Sequence, residues 1–270
     1  MTGTKPIILT VAGSDSGAGA GIQADIKTIS ALGGYCVSAI TALTAKSGLG
    51  VFGIMPSSPE FLDLQLNVLL RDFPVRAVKT GMLFSSELIS VTAGRLRQNM
   101  PPLILDPVCV AKSGHHLLQP EAISALRREL LPLAALVTPN LPEAELIADM
   151  TMQDRDIPSF VRECADRLLD MGAGGVLIKG GHFPFTPGHE EEMADWLVLP
   201  GQDPLPMSHP RVNTPNSHGT GCALSAGIAA GLGRGLDMIQ AIQAAQDYIV
   251  RAMRESYAPG LGIGPLNHLP

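Results

Sequence analysis

Short, unbroken apolar runs alternate with segments of helical spacing along most of the chain. The runs predict strands at residues 7–12, 35–44, 75–80, 103–105, 134–138, 176–179 and 193–199. Apolar side chains three or four positions apart predict helices at residues 22–32, 61–70, 88–96, 122–131, 142–150, 160–171, 221–232 and 238–254. Strands without apolar–polar alternation are typical of a sheet that is buried on both faces.

This order of elements predicts an α/β protein with a central, mostly parallel sheet and helices on both faces. We expect the 193–199 strand at the edge of that sheet. No linker, repeat or low-complexity segment interrupts the chain, so residues 1–270 are expected to form a single domain. In such folds, ligands bind beyond the C-terminal ends of the strands. Candidate residues follow several of these ends: 13–15, 81–82, Asp106, Asn140 and Lys179.

Composition narrows the class of protein. Hydrophobic residues make up 46% of the chain but aromatic residues only 4%, so we expect an aliphatic core. The net charge of −6 argues against a nucleic-acid partner, although a local positive site could still bind an anionic substrate. Four scattered cysteines without CxxC spacing predict reduced thiols in the cytoplasm. We expect neither a signal peptide nor a membrane span.

The segment from Arg211 to Gly231 is the clearest candidate for chemistry. A polar loop leads into Gly219-Thr220-Gly221-Cys222, and an almost purely small and apolar helix follows. The free N–H groups and the positive dipole end of such a helix start can hold an anion. Cys222 lies on the first turn, where the pKa of a thiol is usually lowered. The alternative, a helix whose small residues only permit close packing, is about equally supported.

A second glycine-rich loop, at residues 13–21, follows the first strand. It could hold a phosphate, but it has neither the ending of a Walker A motif nor the spacing of a dinucleotide-binding loop. A flexible turn is therefore slightly favoured. Asp25 lies on the first turn of the next predicted helix, either as a helix cap or as a carboxylate that faces a substrate.

Further polar positions allow both a structural and a functional interpretation. Asn140 and Glu143 share one face of a predicted helix start, where they could organise Mg²⁺ and phosphate or form an ordinary cap. The cap is favoured on these residues alone. Lys179 ends an apolar strand before two glycines, which favours an anionic partner over a snorkelling side chain. Asp106 is either a turn-former or a carboxylate in the cleft.

Several modest motifs occur in a specific order along nearly the whole chain. They lie at residues 12–28, 40–43, 79–83, 105–108, 111–114, 138–144, 178–182, 213–222 and 262–265. Together they resemble the hydroxymethylpyrimidine and phosphomethylpyrimidine kinases of thiamine biosynthesis, within the ribokinase-like superfamily. The resemblance implies that fold, with ATP and Mg²⁺ as cofactors, a pyrimidine as substrate and a homodimer as the assembly. We expect no membrane partner.

The resemblance also implies a role for each matching position. Pyrimidine contacts are implied for Gly13, Asp25, Lys46, Met82 and Val108. Contacts with ATP and magnesium are implied for Asp106, Asn140, Glu143, Lys179, Asn213 and Thr214, with Glu143 holding the metal through water. The anion hole is implied for Gly219, Thr220 and Gly221, and a lid for residues 107–117, including Lys112. Cys222 stands where most ribokinase-like enzymes have a catalytic aspartate.

The implied reaction is in-line transfer of the γ-phosphoryl group of ATP to the hydroxyl of hydroxymethylpyrimidine, and then to the phosphate of its monophosphate. Lys179 and the N–H groups of the turn would stabilise the transferring group. Cys222 could act as the base in the hydroxyl step. The phosphate that attacks in the second step is already an anion and needs no base.

Lys46 departs from the family pattern, which usually has Gln at this position. A Gln can accept a hydrogen bond from the amino group of the pyrimidine, whereas a protonated Lys can only donate. This difference leaves open a pyridoxine or pyridoxal kinase on the same scaffold. A non-catalytic nucleotide-binding regulator is a third hypothesis. It is less favoured because candidates for binding phosphate, binding magnesium and acting as base are all present.

Overall fold

The computed structural model describes residues 4–98, 101–109, 117–153, 155–183 and 191–269. Within those ranges nine strands form one sheet. The strands are β1 (Ile7–Asp15), β2 (Tyr35–Ser47), β3 (Gly50–Pro56), β4 (Val75–Thr80), β5 (Leu103–Leu105), β6 (Ala134–Val137), β7 (Val176–Ile178), β8 (Glu192–Val198) and β9 (Leu205–Pro210). Their order across the sheet is β3-β2-β1-β4-β5-β6-β7-β8-β9.

The predicted parallel sheet is confirmed. Its six central strands, from β2 to β7 across the sheet, all pair in parallel. β3 pairs antiparallel with β2 at one edge, and β8 and β9 continue antiparallel from β7 at the other. The prediction that residues 193–199 lie at the edge was wrong, because β9 covers β8. The sequence did not predict β9 because it contains two prolines, Pro206 and Pro210, which argue against a strand. An edge strand tolerates proline.

Helices occur at all eight predicted places. They are α1 (Gly21–Ala31), α2 (Pro59–Asp72), α3 (Ser86–Leu96), α4 (Pro120–Ala125), α5 (Leu141–Ala148), α6 (Ile157–Asp170), α7 (Thr220–Gly233) and α8 (Met238–Arg254). The helix predicted at 122–131 is the least regular, since α4 continues into a π-helical turn over Leu126–Leu130 and a 3₁₀ turn over Leu131–Leu133. Pro132 explains this, because proline lacks an N–H and its ring clashes with the carbonyl four residues earlier. None of the helices in the described ranges is long and apolar enough to cross a membrane.

Two aliphatic cores lie on opposite faces of the sheet. Successive residues of a strand point to opposite faces, so Ile8 packs in one core and Leu9 in the other. One core includes side chains of α2, α3, α4, α5 and α6, and the other includes side chains of α1, α7 and α8. The predicted burial of the strands on both faces therefore accounts for their unbroken apolar runs.

The small residues of α7 allow it to pack closely against α8. A Cβ atom at Gly227 would lie 2.9 Å from the Cβ of Ala245, and one at Gly231 would lie 2.8 Å from the Cβ of Ala241. The close-packing interpretation is thus correct for the body of this helix. It does not explain the first turn, Gly219 to Cys222, which lines a cavity instead.

Candidate active site

A cavity of about 500 Å³ lies at the C-terminal ends of the parallel strands. Most of the predicted site residues line it: Gly13, Lys46, Met82, Asp106, Val108, Asn140, Glu143, Lys179, Asn213, Thr214, Gly219, Thr220, Gly221 and Cys222. Asp25 does not line it and is fully buried. Lys112 lies outside the described residues, as do positions 110–116 of the predicted lid. The sequence therefore predicted a set of residues that the fold gathers around one cavity.

The turn at the start of α7 has the backbone form that an anion site needs. Gly219 adopts a left-handed conformation with φ of +89°, and no side chain caps the helix. Its carbonyl accepts the first helical hydrogen bond, from the N–H of Ala223 at 2.9 Å. The N–H groups that precede Ala223 have no partner within the helix. They lie at the positive end of the helix dipole, where negative charge is favoured.

The glycine-rich loop at residues 13–21 lies directly against this turn. A Cβ atom at Gly219 would lie 1.9 Å from the carbonyl oxygen of Gly19, and one at Gly19 would lie 2.4 Å from Cδ2 of His218. Gly219 therefore permits close contact between two backbones, and Gly19 leaves room for the His218 ring. The loop thus shapes the turn at the start of α7, a role that neither of the two interpretations predicted for it.

The Asp15 carboxylate contacts three separate segments of the cavity wall. Its Oδ2 atom accepts hydrogen bonds from the N–H of Ala20 at 2.9 Å and from His218 Nε2 at 2.8 Å, and it lies 3.3 Å from Lys46 Nζ. Burial raises the pKa of Asp15, but the hydrogen bond from His218 and the charge of Lys46 outweigh burial, so the pKa is lowered. Lys46 therefore has a carboxylate partner at the cavity wall.

Lys179 supplies a cation beside the turn at the start of α7. Its Nζ atom donates to Asp106 Oδ1 at 3.0 Å and lies 3.6 Å from Glu143 Oε2. Burial lowers the pKa of Lys179, but the two carboxylates outweigh it and raise the pKa above its usual value. A Cβ atom at Gly221 would lie 3.3 Å from Nζ. The ammonium is thus charged and next to the turn.

Asn140 and Glu143 are a helix cap and also line the cavity. Asn140 Oδ1 accepts from the N–H of Glu143, and Glu143 Oε2 accepts from the N–H of Asn140, both at 2.9 Å. This reciprocal pair is a capping box at the start of α5. The structural interpretation, which the sequence favoured, is correct, and the capping box holds the Glu143 carboxylate beside Lys179.

The expectation for the Cys222 thiol was wrong. Burial raises the pKa of Cys222 and outweighs the opposing effect of the Lys79 ammonium. A position on the first turn of a helix lowers a thiol pKa only where desolvation is small. Cys222 is therefore mainly a neutral thiol at neutral pH, and any base chemistry must use a minor thiolate form.

Asp25 and Lys79 form a buried ion pair behind the cavity wall. Lys79 Nζ donates to both carboxylate oxygens of Asp25 at 2.9 Å, and Thr10 Oγ1 donates to Asp25 Oδ2 at 2.6 Å. Asp25 is not the cap of α1, because Ala20 holds that position. Lys79, unlike Asp25, lines the cavity. Lys79, like Lys179, lies near the end of an apolar strand, but its local sequence pattern did not predict a role for it.

Comparison with known proteins places this site in a family. The family model described as "Phosphomethylpyrimidine kinase" matches residues 15–267. The chain belongs to this family. The match includes the turn, the capping box and Lys179, and the resemblance found in the sequence is confirmed.

Two curated members of the family are similar to this chain over almost their whole length. The hydroxymethylpyrimidine/phosphomethylpyrimidine kinase of Haemophilus influenzae is 43% identical over 97% of this chain and 96% of its own. Its namesake in Rhizobium meliloti is 44% identical over 97% and 96%. The thiamine biosynthesis bifunctional protein ThiED of Geobacter sulfurreducens is 44% identical, and the matched region covers 52% of that longer protein.

Solved structures confirm the ribokinase-like fold. The ADP complex of Bacillus subtilis pyridoxal kinase superposes with a TM-score of 0.86 at 31% identity, covering 98% of both chains. The phosphomethylpyrimidine kinase of Clostridium difficile gives 0.79 at 36%, covering 92% of this chain and all of its own. The Staphylococcus aureus pyridoxal kinase with AMP-PCP and pyridoxal gives 0.86 at 30%, covering 98% of this chain and 94% of its own.

Proposed function

We propose that the chain transfers the γ-phosphoryl group of ATP first to hydroxymethylpyrimidine and then to its monophosphate, in thiamine biosynthesis. The observation that carries this proposal is that Lys179 and the Gly219–Cys222 turn lie next to each other in the wall of one cavity. Relatives named for both phosphorylation steps, at more than 40% identity, support the same reaction. Relatives solved with an ATP analogue and with ADP support ATP as the phosphoryl donor.

Two sets of apolar side chains contribute to the cavity wall. Met82, Val108 and Leu117 contribute an apolar surface that suits an aromatic ring. Ile249 and Met253 of α8 line another part of the cavity, which we assign to the nucleotide base. The γ-phosphoryl group would then lie at the turn, between the two rings.

The residues at the turn suit in-line transfer to a hydroxyl group. The substrate oxygen forms a bond to the γ-phosphorus while the bond between that phosphorus and the bridging oxygen of ADP breaks. The N–H groups of the turn and the Lys179 ammonium stabilise the charge on the transferring group. The Cys222 thiolate takes the proton of the hydroxyl. In the second step the attacking phosphate needs no such acceptor.

The acidic residues around Lys179 fit a magnesium ion that is held largely by phosphates and water. Mg²⁺ in kinases commonly uses only one or two protein carboxylates. Asp106 and Glu143 both line the cavity on either side of Lys179. These two residues would hold the ion, which would neutralise charge on the phosphates of ATP. In the described residues no cluster of three or more His, Cys, Asp or Glu side chains could hold a metal by itself.

A panel of phosphoryl acceptors tests the proposed function. ADP release would be measured with hydroxymethylpyrimidine, with its monophosphate and with pyridoxal, and calorimetry would measure nucleotide binding in parallel. We expect turnover with both pyrimidines. Turnover with pyridoxal alone would instead support a vitamin B6 kinase. Lys46 and the similar structures of pyridoxal kinases are the observations that favour this alternative. Nucleotide binding without any turnover would support a regulator.

We further propose a homodimer formed through the β2–β3 hairpin, in the cytoplasm. Leu43, Phe52 and Met55 on this hairpin are 46%, 74% and 63% exposed, and β3 is an edge strand. A second copy of the chain would cover this apolar surface. Sedimentation of Phe52→Glu should then show a monomer, while Leu205→Glu, at the opposite edge, should leave the dimer intact. A monomeric native protein would contradict the assembly.

A further inference from the structure

The ion pair of Lys79 and Asp25 takes no part in the reaction described so far. Lys79 has no exposed surface, and both acceptors of its Nζ atom are oxygens of the equally buried Asp25. Removal of two charges from water costs several kcal/mol per ion. Apolar residues of similar volume often stabilise a core as much as a buried ion pair does, or more. A need for packing alone therefore does not explain why a charged pair occupies this place.

The position of Lys79 indicates which group the pair acts on. Lys79, Gly21 and Cys222 all contribute to the cavity wall. Helix α7, which carries Cys222, packs against β4, which carries Lys79. A Cβ atom at Gly81 would lie only 2.8 Å from Lys79 Nζ, so the glycine leaves room for the ammonium. Lys79 therefore lies at the back of the cavity wall, on the strand that packs against the helix of Cys222, with Asp25 as its partner.

Other charged groups around Cys222 favour the thiol form. Asp25 from α1 and Asp106 after β5 both raise the pKa of Cys222, in addition to the larger effect of burial. Lys79 from β4 lowers it, and a hydrogen bond with the backbone of Gly21 does so to a smaller extent. Lys179 lies beside the neighbouring residue of the turn, but Asp106 and Glu143 already neutralise it.

We propose that Lys79, held in place by Asp25, stabilises the Cys222 thiolate that accepts the proton of the substrate hydroxyl. Lys79 is then a positioning residue that acts through Cys222, and Asp25 supports it without touching the substrate. This inference rests on the proposed function. In the step it assists, the hydroxyl proton passes to Sγ as the new oxygen–phosphorus bond forms and ADP leaves. The thiol then loses that proton to solvent.

The ionisation of Cys222 can be followed without any turnover. The rate of alkylation by iodoacetamide would be measured across pH 7 to 11 for each cysteine by peptide mass spectrometry, in the protein free of substrate. We expect Lys79→Met to raise the midpoint for Cys222 by about one pH unit, which is about tenfold less thiolate at a given pH. Cys164 is the internal control for folding, because its thiol is fully buried in the core and should stay unreactive in a folded variant.

A second variant separates electrostatics from a merely structural role. We expect Asp25→Asn to lower the midpoint for Cys222, because it removes a negative charge and leaves the ammonium. Damage to the fold would instead shift the Cys222 midpoint in the same direction in both variants, and it would also expose Cys164 to alkylation. If loss of one partner prevents folding, Lys79→Met combined with Asp25→Leu removes both charges and should still raise the midpoint, because the Lys79 effect is the larger.

An unchanged Cys222 midpoint in folded Lys79→Met, or in the folded double variant, would overturn the inference. Shifts of opposite sign in the two single variants would support it. Because alkylation needs no substrate, failure here is distinct from failure of the proposed function. The latter would appear as an absence of ADP release with both pyrimidines in the native protein, whatever the titration of Cys222.

Discussion

Replacement of Gly219 with alanine should disable the turn at the start of α7, the proposed anion site, and the chain offers a matched control. Gly219 and Gly235 lie at opposite ends of α7 and have almost the same left-handed backbone, with φ of +89° and +90°. They differ in their surroundings. A Cβ atom at Gly219 would lie 1.9 Å from the carbonyl oxygen of Gly19, while one at Gly235 would have no neighbour within 4 Å.

The structure gives the expected size of each effect. A left-handed alanine costs about 1–2 kcal/mol relative to glycine, and both variants should lose at least this much stability. Since Cβ contacts below 3.0 Å essentially never occur, Gly219→Ala must also move the turn or the Gly19 loop by about 1 Å. A displacement of about 1 Å at a reacting centre can reduce the rate about 100-fold. We therefore expect kcat to fall about 100-fold in Gly219→Ala and to stay unchanged in Gly235→Ala.

Thermal unfolding and ADP release, measured on the same preparations, separate the two effects. Gly235→Ala should melt at a lower temperature than the native protein and keep its kcat. Gly219→Ala should show the loss of kcat even at temperatures well below its own melting point. Equal turnover by folded Gly219→Ala and Gly235→Ala would show that the turn does not hold the transferring group.

Other predictions follow from the charges of the molecule. Lys179→Met should lower kcat about 100-fold. It should also lower the free energy of unfolding by about 3–5 kcal/mol, because Asp106 and Glu143 lose their shared partner. The control variant Arg162→Met, which breaks an exposed ion pair with Asp203, should change the free energy of unfolding by less than about 1 kcal/mol. Burial lowers the pKa of His268 to about 4, so the folded state binds fewer protons than the unfolded one, and stability should fall by about 3 kcal/mol as the pH drops from 6.5 to 4. Denaturant titrations of His268→Asn should show a flatter dependence over that range, and an equal dependence would contradict the assignment. Lys46→Gln, which adds a hydrogen-bond acceptor at the cavity wall, should raise kcat/KM for hydroxymethylpyrimidine about tenfold relative to pyridoxal; an unchanged ratio would show that Lys46 does not select the ring.

Much of the fold could be predicted because its core strands are buried on both faces. An unbroken apolar run such as the one at residues 103–105 is visible without knowledge of its partners. β3 and β9 lack that signal, because each is an edge strand whose residues are partly exposed. Edge strands are defined by the strand they pair with, which a local pattern does not reveal.

The candidate site was predictable where chemistry-bearing residues follow strand ends. Lys179, Asn140 and the Gly219 turn were found in this way, and all of them line the cavity. Contacts between distant segments were not predictable. The hydrogen bond from His218 to Asp15 and the ion pair of Lys79 with Asp25 each join segments that the sequence keeps apart. The pKa of Cys222 depends on burial and on these neighbours, so its position on the helix alone predicted the wrong direction.

The central claim, that Cys222 takes the proton of a hydroxyl at this turn, is tested most directly by comparing the two phosphorylation steps in Cys222→Ala. Single-turnover rates would be measured with hydroxymethylpyrimidine and, separately, with its monophosphate. Because the pKa of Cys222 is raised, the native rate of the first step should also increase with pH above neutrality, and the variant should lose this dependence. We expect a loss of about 100-fold or more in the first step and only a small change in the second. Equal losses in both steps would contradict the account.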